Sequence, residues 1–248
     1  MHLISVRGLP FIRLVQHSSG GRADRFFEQS PTVMTAFRLS PRPWSKVFVL
    51  LLCLLALGST VSCGQDDTDA LLDAMAIETG DWVADVGSGD GDYTIPMAER
   101  VGPSGHVFAV DIDPDKLDDL NERLVDNDIE HVTSVYSVEA NPMLPTNSLD
   151  AVLVRNAYHH FTAPESMLRH IKAALKPGGR LVIEESIAED MIGESRAEQV
   201  DAHDLGIEYV REELTAAGFT IQKEVNPLLE TSWGIYWMIV AARPSSQD

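Results

Sequence analysis

Cysteine is nearly absent from this 248-residue chain, which has two, Cys53 and Cys63. The residues after Cys63 can therefore form neither a disulfide nor a cysteine-ligated zinc site. Hydrophobic residues make up 44% of the sequence, which is enough for a domain of this length to bury a sizeable core without such cross-links. With no internal repeat or low-complexity tract, the sequence predicts a single globular domain.

Basic residues are scarce after residue 62, where 12 of them accompany 36 acidic residues, giving a net charge near −24. So acidic a surface repels phosphate backbones, which argues against a nucleic-acid partner. A neutral or cationic small molecule, a quinone or a lipid-like ligand is easier to admit. The alternative is that the acids only solvate the surface, as in proteins from salty surroundings.

The longest apolar run, Val47–Leu57 (VFVLLLCLLAL), falls short of the roughly 20 residues that a membrane-spanning helix needs. Seven basic residues precede it, and small residues lead from it to Cys63. This arrangement resembles a bacterial lipoprotein signal in which Cys63 is acylated and becomes the new N-terminus. Thr60 occupies the third position before the cysteine, where such signals usually carry leucine, so the match at this position is loose. The alternatives are an uncleaved single-pass membrane anchor and, less favoured, a mitochondrial presequence.

The first two interpretations place the domain outside the cytoplasm, tethered to the membrane, because the basic flank precedes the apolar run. Met34 is a more ordinary start for such a signal than Met1, so residues 1–33 would be untranslated or a disordered leader. We expect a leader over residues 1–62, a short linker over 63–68 and the folded domain over 69–244.

One apolar segment ends in an acid followed by three alternating glycines, in the sequence DVGSGDG. Gly87, Gly89 and Gly91 permit backbone angles and a close ligand approach that a Cβ would block. The helix expected from about Tyr93 offers unpaired N–H groups to an anion. Asp85 can accept hydrogen bonds from a cationic or hydroxyl-rich ligand. The pattern predicts a strand that breaks into a loop beneath a small ligand.

A second acid, Asp111, ends the next apolar run, HVFAVDID, 24 residues after Gly87. The second strand of a βαβ unit delivers a carboxylate to ribose hydroxyls at this point. Nicotinamide-dependent dehydrogenases share that arrangement, but their loop reads G-x-G-x-x-G, whereas this one reads G-x-G-x-G. No second mononucleotide unit follows, so a dehydrogenase is the weaker interpretation.

Further motifs follow in a fixed order: LP before a DAVLV run, then LKPGGRLVI, then ELTAAGF. Together with the glycine loop and VDIDP, they resemble the class I S-adenosylmethionine-dependent methyltransferases over about residues 68–244. The resemblance implies a three-layer, Rossmann-like α/β fold. Its seven-stranded sheet would be mostly parallel and would end in an antiparallel hairpin.

The resemblance also implies a cofactor, S-adenosyl-L-methionine, and residues that hold it. The acid and glycines of the loop would hold the methionine part, Asp111 the ribose and Ile112 the adenine. Glu139 stands near the position where family members carry an acid that reads the adenine amino group. The expected cofactor-binding residues are Asp85, Gly87, Ser88, Gly89, Gly91, Asp111, Ile112, Glu139 and Asn156.

Hydrophobic periodicity and turn residues place the remaining elements. A helix is predicted to start at Asp113-Pro114, with Leu117, Leu120 and Leu124 as its apolar stripe. The other predicted helices are Asp69–Ile77, Glu165–Leu175 and Val210–Ala217, and the other predicted strands are Asp150–Arg155, Arg180–Glu184, Phe219–Glu224 and Trp233–Ala241.

Candidate catalytic residues follow the strand that ends at Arg155, in the sequence NAYHHF. His159 or His160 could accept a proton from a methyl acceptor, and Tyr158 is an alternative acceptor-site residue. The competing interpretation is that one ring packs in the core and the other bonds the loop. His203 is either a lid residue or an ordinary helix-start residue.

No metal site is predicted. A zinc site built from His159, His160 and Glu184 or Glu185 is conceivable, but no cysteine and no spaced histidine motif support it.

The sequence therefore predicts an S-adenosylmethionine-dependent methyltransferase that acts on a small or lipid-like acceptor. Because the cofactor is made in the cytosol, an exported chain raises a second hypothesis, a non-catalytic protein that binds the nucleoside. A nicotinamide oxidoreductase is the third. The oligomeric state and the acceptor are not predicted.

Overall fold

Short apolar segments alternate with amphipathic ones along the chain, and the computed structural model describes them over residues 63–245. These residues belong to one compact unit, Ser59–Asp248. The strands are β1 Trp82–Val86, β2 His106–Asp111, β3 Val132–Tyr136, β4 Leu149–Arg155, β5 Leu175–Ile187, β6 Thr220–Glu230 and β7 Ile235–Ala242. The helices are α1 Cys63–Met75, α2 Thr94–Val101, α3 Pro114–Asp126, α4 Pro164–Ala174, α5 Arg196–Asp201 and α6 Ile207–Ala216.

The seven strands form one sheet in the order β3-β2-β1-β4-β5-β7-β6. The first five strands run parallel, whereas β7 is antiparallel to both of its neighbours, β5 and β6. This confirms the predicted fold class and its antiparallel end hairpin. Strand order reverses between β1 and β4, and in open α/β sheets ligands bind beyond the carboxyl ends of the strands at such a point.

Both faces of the sheet are covered, which is why its central strands are almost continuously apolar. Along β4, Val152 and Val154 join one core cluster, while Ala151 and Leu153 join the other. Helices α4 and α6 pack on the first face, and α1 and α2 pack on the second. The predicted apolar stripe of α3 packs beside β2. The result is the three-layer arrangement expected from the sequence.

The start of α3 is the clearest local prediction that the structure confirms. Asp113 caps the helix, its side chain accepting a hydrogen bond from the backbone N–H of Asp115 at 3.0 Å, and Pro114 occupies the first turn. The capping side chain satisfies one of the donors that a helix start leaves unpaired, and proline there loses no hydrogen bond.

Several predicted boundaries are wrong, and β6 in particular continues to Glu230 instead of ending at Glu224. Helix α1 begins at Cys63 instead of Asp69, so it takes in the segment predicted as a linker, and it ends at Met75. Strand β5 begins at Leu175 instead of Arg180. The turn-like sequence KPGG does not end the pairing between β4 and β5. Leu175 pairs with Leu149, and the register then shifts to the pair Ala151 and Arg180.

The predicted leader and its apolar run lie outside the described residues. Within residues 63–245, no helix combines the length and the apolar character that crossing a membrane requires.

We predict that Trp237→Phe lowers the free energy of unfolding by about 1–3 kcal/mol, because it removes a buried donor. Trp237 on β7 is fully buried, and its indole N–H donates to the carbonyl oxygen of Leu205 at 2.8 Å. Urea titration followed by far-UV circular dichroism measures the change. The matched control is Trp233→Phe, because Trp233 is 86% exposed and its loss should cost no more than about 0.5 kcal/mol. Equal stability of the two variants would contradict the packing described for β7.

Candidate functional site

A cavity of about 330 Å³ opens beyond the carboxyl ends of β1, β2 and β4, at the reversal of strand order. Its walls come from the glycine loop after β1, the end of β2, the segment after β3, the segment after β4 and α4. The lining residues are Val86, Gly87, Gly89, Val110, Asp111, Ile112, Asp113, Lys116, Ser137, Val138, Glu139, Asn156, Ala157, His160, Phe161, Thr162 and Met167.

The glycine loop requires glycine for two different reasons. Gly87, Gly89 and Gly91 all have positive φ angles, of 83°, 53° and 95°. A Cβ on Gly87 would lie 2.3 Å from the Cβ of Ala157, and one on Gly91 would lie 2.3 Å from Leu120 Cδ1. The loop therefore passes close to both the segment after β4 and helix α3, closer than any other residue would permit.

Asp85 lies under this loop and not in the cavity wall. It is 2% exposed, and its Oδ2 accepts a hydrogen bond from Thr94 Oγ1 at 2.7 Å. Burial raises the pKa of Asp85 to about 6; the hydrogen bond from Thr94 lowers it, Asp111 raises it and Arg155 lowers it. The carboxyl group thus joins the end of β1 to the first turn of α2.

Asp111 lies in the cavity wall, where the sequence predicted the ribose-binding acid. Its Oδ2 accepts a hydrogen bond from the backbone N–H of Gly89, and its Oδ1 accepts one from the N–H of Asp113, both at 2.9 Å. Each carboxylate oxygen can accept a second hydrogen bond. The group can therefore fix the loop and bind a diol in the cavity at the same time.

The wall beside Asp111 is apolar and accessible. Ile112 is 51% exposed and Val138 is 50% exposed, and both line the cavity. A flat apolar ring between them would cover surface that otherwise faces solvent. Glu139 lines the cavity next to Val138, with Thr162 Oγ1 at 3.5 Å from its carboxylate.

The predicted residues Asn156 and Ser88 occupy different positions. Asn156 lines the cavity in a left-handed conformation, with φ of 47°, which asparagine adopts more readily than most residues. Ser88 lies between two lining glycines, and its buried Oγ has no hydrogen-bond partner among the described residues. Neither Ser88 nor Gly91 lines the cavity.

Of the three candidate catalytic residues, His160 lines the cavity, whereas Tyr158 and His159 are buried behind it. All three belong to a short 3₁₀ helix, Tyr158–His160, that follows β4. The Tyr158 hydroxyl donates to Glu213 Oε2 at 2.7 Å. Burial and then Glu213 raise the pKa of Tyr158, so its phenol stays protonated and cannot act as a base near neutral pH.

Buried Glu185, near the end of β5, bonds both Tyr158 and His159. Its Oε2 lies 2.9 Å from His159 Nδ1, and its Oε1 accepts hydrogen bonds from the backbone N–H groups of Tyr158 and His159 at 2.5 and 3.2 Å. The His160 ring sits 4.0 Å from the His159 ring. Burial, His159 and His203 lower the pKa of His160, in that order, which favours its neutral form.

His203 follows α5 and lies close to this pair, with ring centroids 5.8 Å from His159 and 5.5 Å from His160. It does not start a helix, because α6 begins at Ile207. It also lies outside the cavity wall described above. Its position beside the two earlier histidines could not be read from a separation of more than 40 residues in the sequence.

Thr94 and Glu213 are site residues that sequence reasoning missed. Thr94 is the partner of Asp85, and Glu213 bonds both Tyr158 and Arg196, whose Nε lies 2.6 Å from its Oε1. Thr94 could have been found as the hydroxyl at the first helical position after the loop. Glu213 carried no such signal, since acids are frequent on exposed helices.

The family described as Methyltransferase domain matches residues 77–231, which is more than half of the chain, and the chain belongs to this family. It is similar to the demethylmenaquinone methyltransferase of Anoxybacillus flavithermus, at 30% identity over 48% of this chain and 50% of that protein. It is also similar to a ubiquinone/menaquinone biosynthesis C-methyltransferase of Chromobacterium violaceum, at 33% identity over 45% and 46% of the two chains. The chain therefore spans about half the length of the curated relatives it matches.

Two solved structures share the fold. A SAM-dependent methyltransferase from Aquifex aeolicus has a TM-score of 0.61 and 23% identity, covering 71% of this chain and 89% of that one. Geranyl diphosphate C-methyltransferase from Streptomyces coelicolor A3(2) has a TM-score of 0.62 and 17% identity, covering 73% and 79%. At these identities the likeness establishes the fold.

Asp85 gives a pH-dependent prediction for stability. Its ordinary pKa is 3.8 and its folded pKa is about 6, so both folded and unfolded states are protonated below pH 3.8. As the pH rises from 3.8 to 6 the unfolded state loses its proton first, and stability falls. The variant Asp85→Asn has no ionisable group at this position, so it does not undergo this loss of stability as the pH rises. Its free energy of unfolding relative to the parent should therefore rise by about 2 kcal/mol between pH 4 and pH 7.

Urea titrations of both proteins at several pH values measure this difference. Asp118→Asn, on the exposed face of α3, is the matched control and should change the free energy of unfolding by no more than about 0.5 kcal/mol. A constant difference between the Asp85 variant and the parent across this range would mean that the buried carboxyl does not titrate as described.

Proposed function

We propose that this chain is an S-adenosylmethionine-dependent methyltransferase that acts on a small, uncharged or lipid-like acceptor. One observation carries the proposal. The glycine loop after β1 and the Asp111 carboxylate at the end of β2 are hydrogen-bonded to each other, and both line one cavity at the switch point of the sheet.

The residues around the cavity fit the cofactor. Asp111 would accept hydrogen bonds from the ribose hydroxyls, while Ile112 and Val138 would contact the adenine ring. Gly87 and Gly89, the loop residues that line the cavity, would hold the methionine end. When bound, the cofactor supplies an electrophilic methyl group on a sulfonium.

The chain's own contribution to methyl transfer would be positioning and exclusion of water. Phe161 and Met167 line the cavity together with His160, so the acceptor would be held against a largely apolar wall. His160 presents a mainly neutral imidazole there, which carries a lone pair. An acceptor with an ionisable O–H or C–H group would therefore find a basic nitrogen at the cavity wall.

The charge of the domain favours an uncharged acceptor. With a net charge near −24 over residues 63–248, the surface repels anions such as diphosphates. The relatives from Anoxybacillus and Chromobacterium are named for demethylmenaquinone and for ubiquinone and menaquinone. An aromatic or quinol-like acceptor with an apolar tail is the class that agrees with both observations.

We expect Asp111→Asn to weaken binding of S-adenosylhomocysteine by about 10–100-fold, because hydrogen bonds to a charged carboxylate contribute about 1.5–3 kcal/mol. Isothermal titration calorimetry measures the affinity, and circular dichroism confirms that the variant is folded. Asp118→Asn is again the control and should bind like the parent. Unchanged affinity of the Asp111 variant, or binding of NAD in place of S-adenosylhomocysteine, would contradict the proposal.

The second candidate function is a protein that binds the nucleoside without turning it over. The conflict between an exported chain and a cytosolic cofactor favours it. A quinol-containing lipid extract supplied together with S-adenosylmethionine distinguishes the two functions. An enzyme should release S-adenosylhomocysteine, whereas a binding protein should release none.

The compartment is a separate proposal. The apolar run followed by small residues and Cys63 supports export with lipid acylation of Cys63. A mature chain that begins at Cys63 would retain every helix and strand described above. A single-pass anchor formed by the same run is the alternative. Mass spectrometry of the mature protein from a bacterial host should find a diacylated Cys63 at its N-terminus. Cys63→Ser should abolish the modification, whereas Cys53→Ser should preserve it. An intact Met1 with no lipid would contradict export.

A further inference from the structure

Three histidines from two separate segments meet beside the cavity. One ligand-capable atom from each of His159, His160 and His203 lies within 4.8 Å of the others. His160 also lines the cavity, so the cluster borders the space in which an acceptor would lie. His159 is buried, whereas His160 and His203 are exposed.

The buried member of the cluster is held in one orientation. Glu185 is 1% exposed, and its Oε2 lies 2.9 Å from His159 Nδ1. A carboxylate can only accept at that contact, so His159 carries its proton on Nδ1 and keeps a lone pair on Nε2. Metal-binding histidines usually have this arrangement, in which a carboxylate fixes the ring and increases its basicity.

The third histidine is presented by a constrained segment. His203 has a left-handed backbone, with φ of 61°, a conformation that is uncommon for residues other than glycine. The following residues tie the segment to the end of β5: Asp204 Oδ1 accepts from the N–H of Ala188 at 3.0 Å, and the N–H of Leu205 donates to Ser186 at 2.9 Å. These two hydrogen bonds hold the segment in the position that brings His203 to the other two rings.

We propose that His159, His160 and His203 bind one divalent transition-metal ion of the zinc class, with Glu185 supporting His159 from behind. Three imidazoles leave the fourth tetrahedral position open, as in catalytic zinc sites. Zinc–nitrogen bonds of about 2.0–2.1 Å place the nitrogens about 3.4 Å apart, so binding requires the exposed rings to move inward. His160 and His203 are exposed, so their side chains can rotate to bring the rings inward.

The open position would serve the acceptor, and this step rests on the proposed function. A hydroxyl oxygen of the acceptor would become the fourth ligand, which lowers its pKa. The O–H bond then breaks and its proton goes to water. A ring carbon beside the zinc-bound oxyanion would attack the methyl carbon, so a C–CH₃ bond forms while the S–CH₃ bond breaks and S-adenosylhomocysteine leaves. That ring carbon then loses its hydrogen as a proton to water, which restores the aromatic ring. No electron is transferred, because zinc has no redox chemistry. His160 would then act as a metal ligand and the metal would take over the activation of the acceptor.

The test titrates the metal-free full chain with Zn²⁺ by calorimetry, with the metal content measured by mass spectrometry after dialysis. We expect one ion per chain. His203→Gly should weaken binding at least 100-fold while tolerating the left-handed backbone, and Glu185→Gln should weaken it 10–100-fold. His170→Ala, on α4 and outside the cluster, is the matched control and should bind like the parent.

Cobalt gives a readout that does not depend on turnover. Co²⁺ bound to the parent should show the visible absorption bands of a four- or five-coordinate ion, and His203→Gly should lose them. Absence of stoichiometric metal in the parent, or equal affinity in parent and His203→Gly, would overturn the proposal.

The two proposals fail independently. Metal binding is measured without cofactor or acceptor, so it stands even if S-adenosylhomocysteine does not bind. The step at the open position is tested by turnover of the metal-free and zinc-loaded chain, where the metal should raise kcat at least 10-fold. Equal turnover with and without zinc would overturn that step.

Discussion

The site depends on the hydrogen bond between the Asp111 carboxylate and the backbone N–H of Gly89. It joins the end of β2 to the glycine loop that follows β1, two neighbouring strands whose carboxyl ends meet at one edge of the sheet. The loop could not come so close with any larger residue at Gly87, because Ala157 occupies the space of a Cβ. Asp85 supports the same loop from below through Thr94. Three constraints therefore fix one loop, and the cavity forms above it.

Burial explains why the acidic residues at this edge of the sheet play such different parts. Asp111 faces the cavity and keeps accepting capacity for a ligand, whereas Asp85 is buried and its raised pKa reflects the cost of desolvating a charge. Glu185 is buried as well, but it accepts hydrogen bonds from two backbone N–H groups and lies against a histidine.

Much of this architecture could be predicted because the signals for it lie within a few neighbouring residues of the sequence. Asp113 and Pro114 determine where α3 begins, and the glycine loop with Asp111 identified the cavity-lining edge of the sheet. The predicted boundary is wrong where pairing with a neighbouring strand overrides turn residues, as at Leu175. The partners of Tyr158, His159 and Asp85 depend on residues brought together by the fold. Glu213 contacts Tyr158, and His203 contacts the other two histidines. Both lie on segments whose own sequence gives no indication of these contacts, so their roles could not be predicted.

The central claim is that the Asp111 carboxylate and the glycine loop bind a sulfonium nucleoside. The most direct test is a crystal structure of the chain grown with S-adenosylhomocysteine. We expect both ribose hydroxyls within hydrogen-bond distance of Asp111, with the adenine ring between Ile112 and Val138. A ligand bound elsewhere, or one in this cavity whose ribose makes no contact with Asp111, would contradict the account.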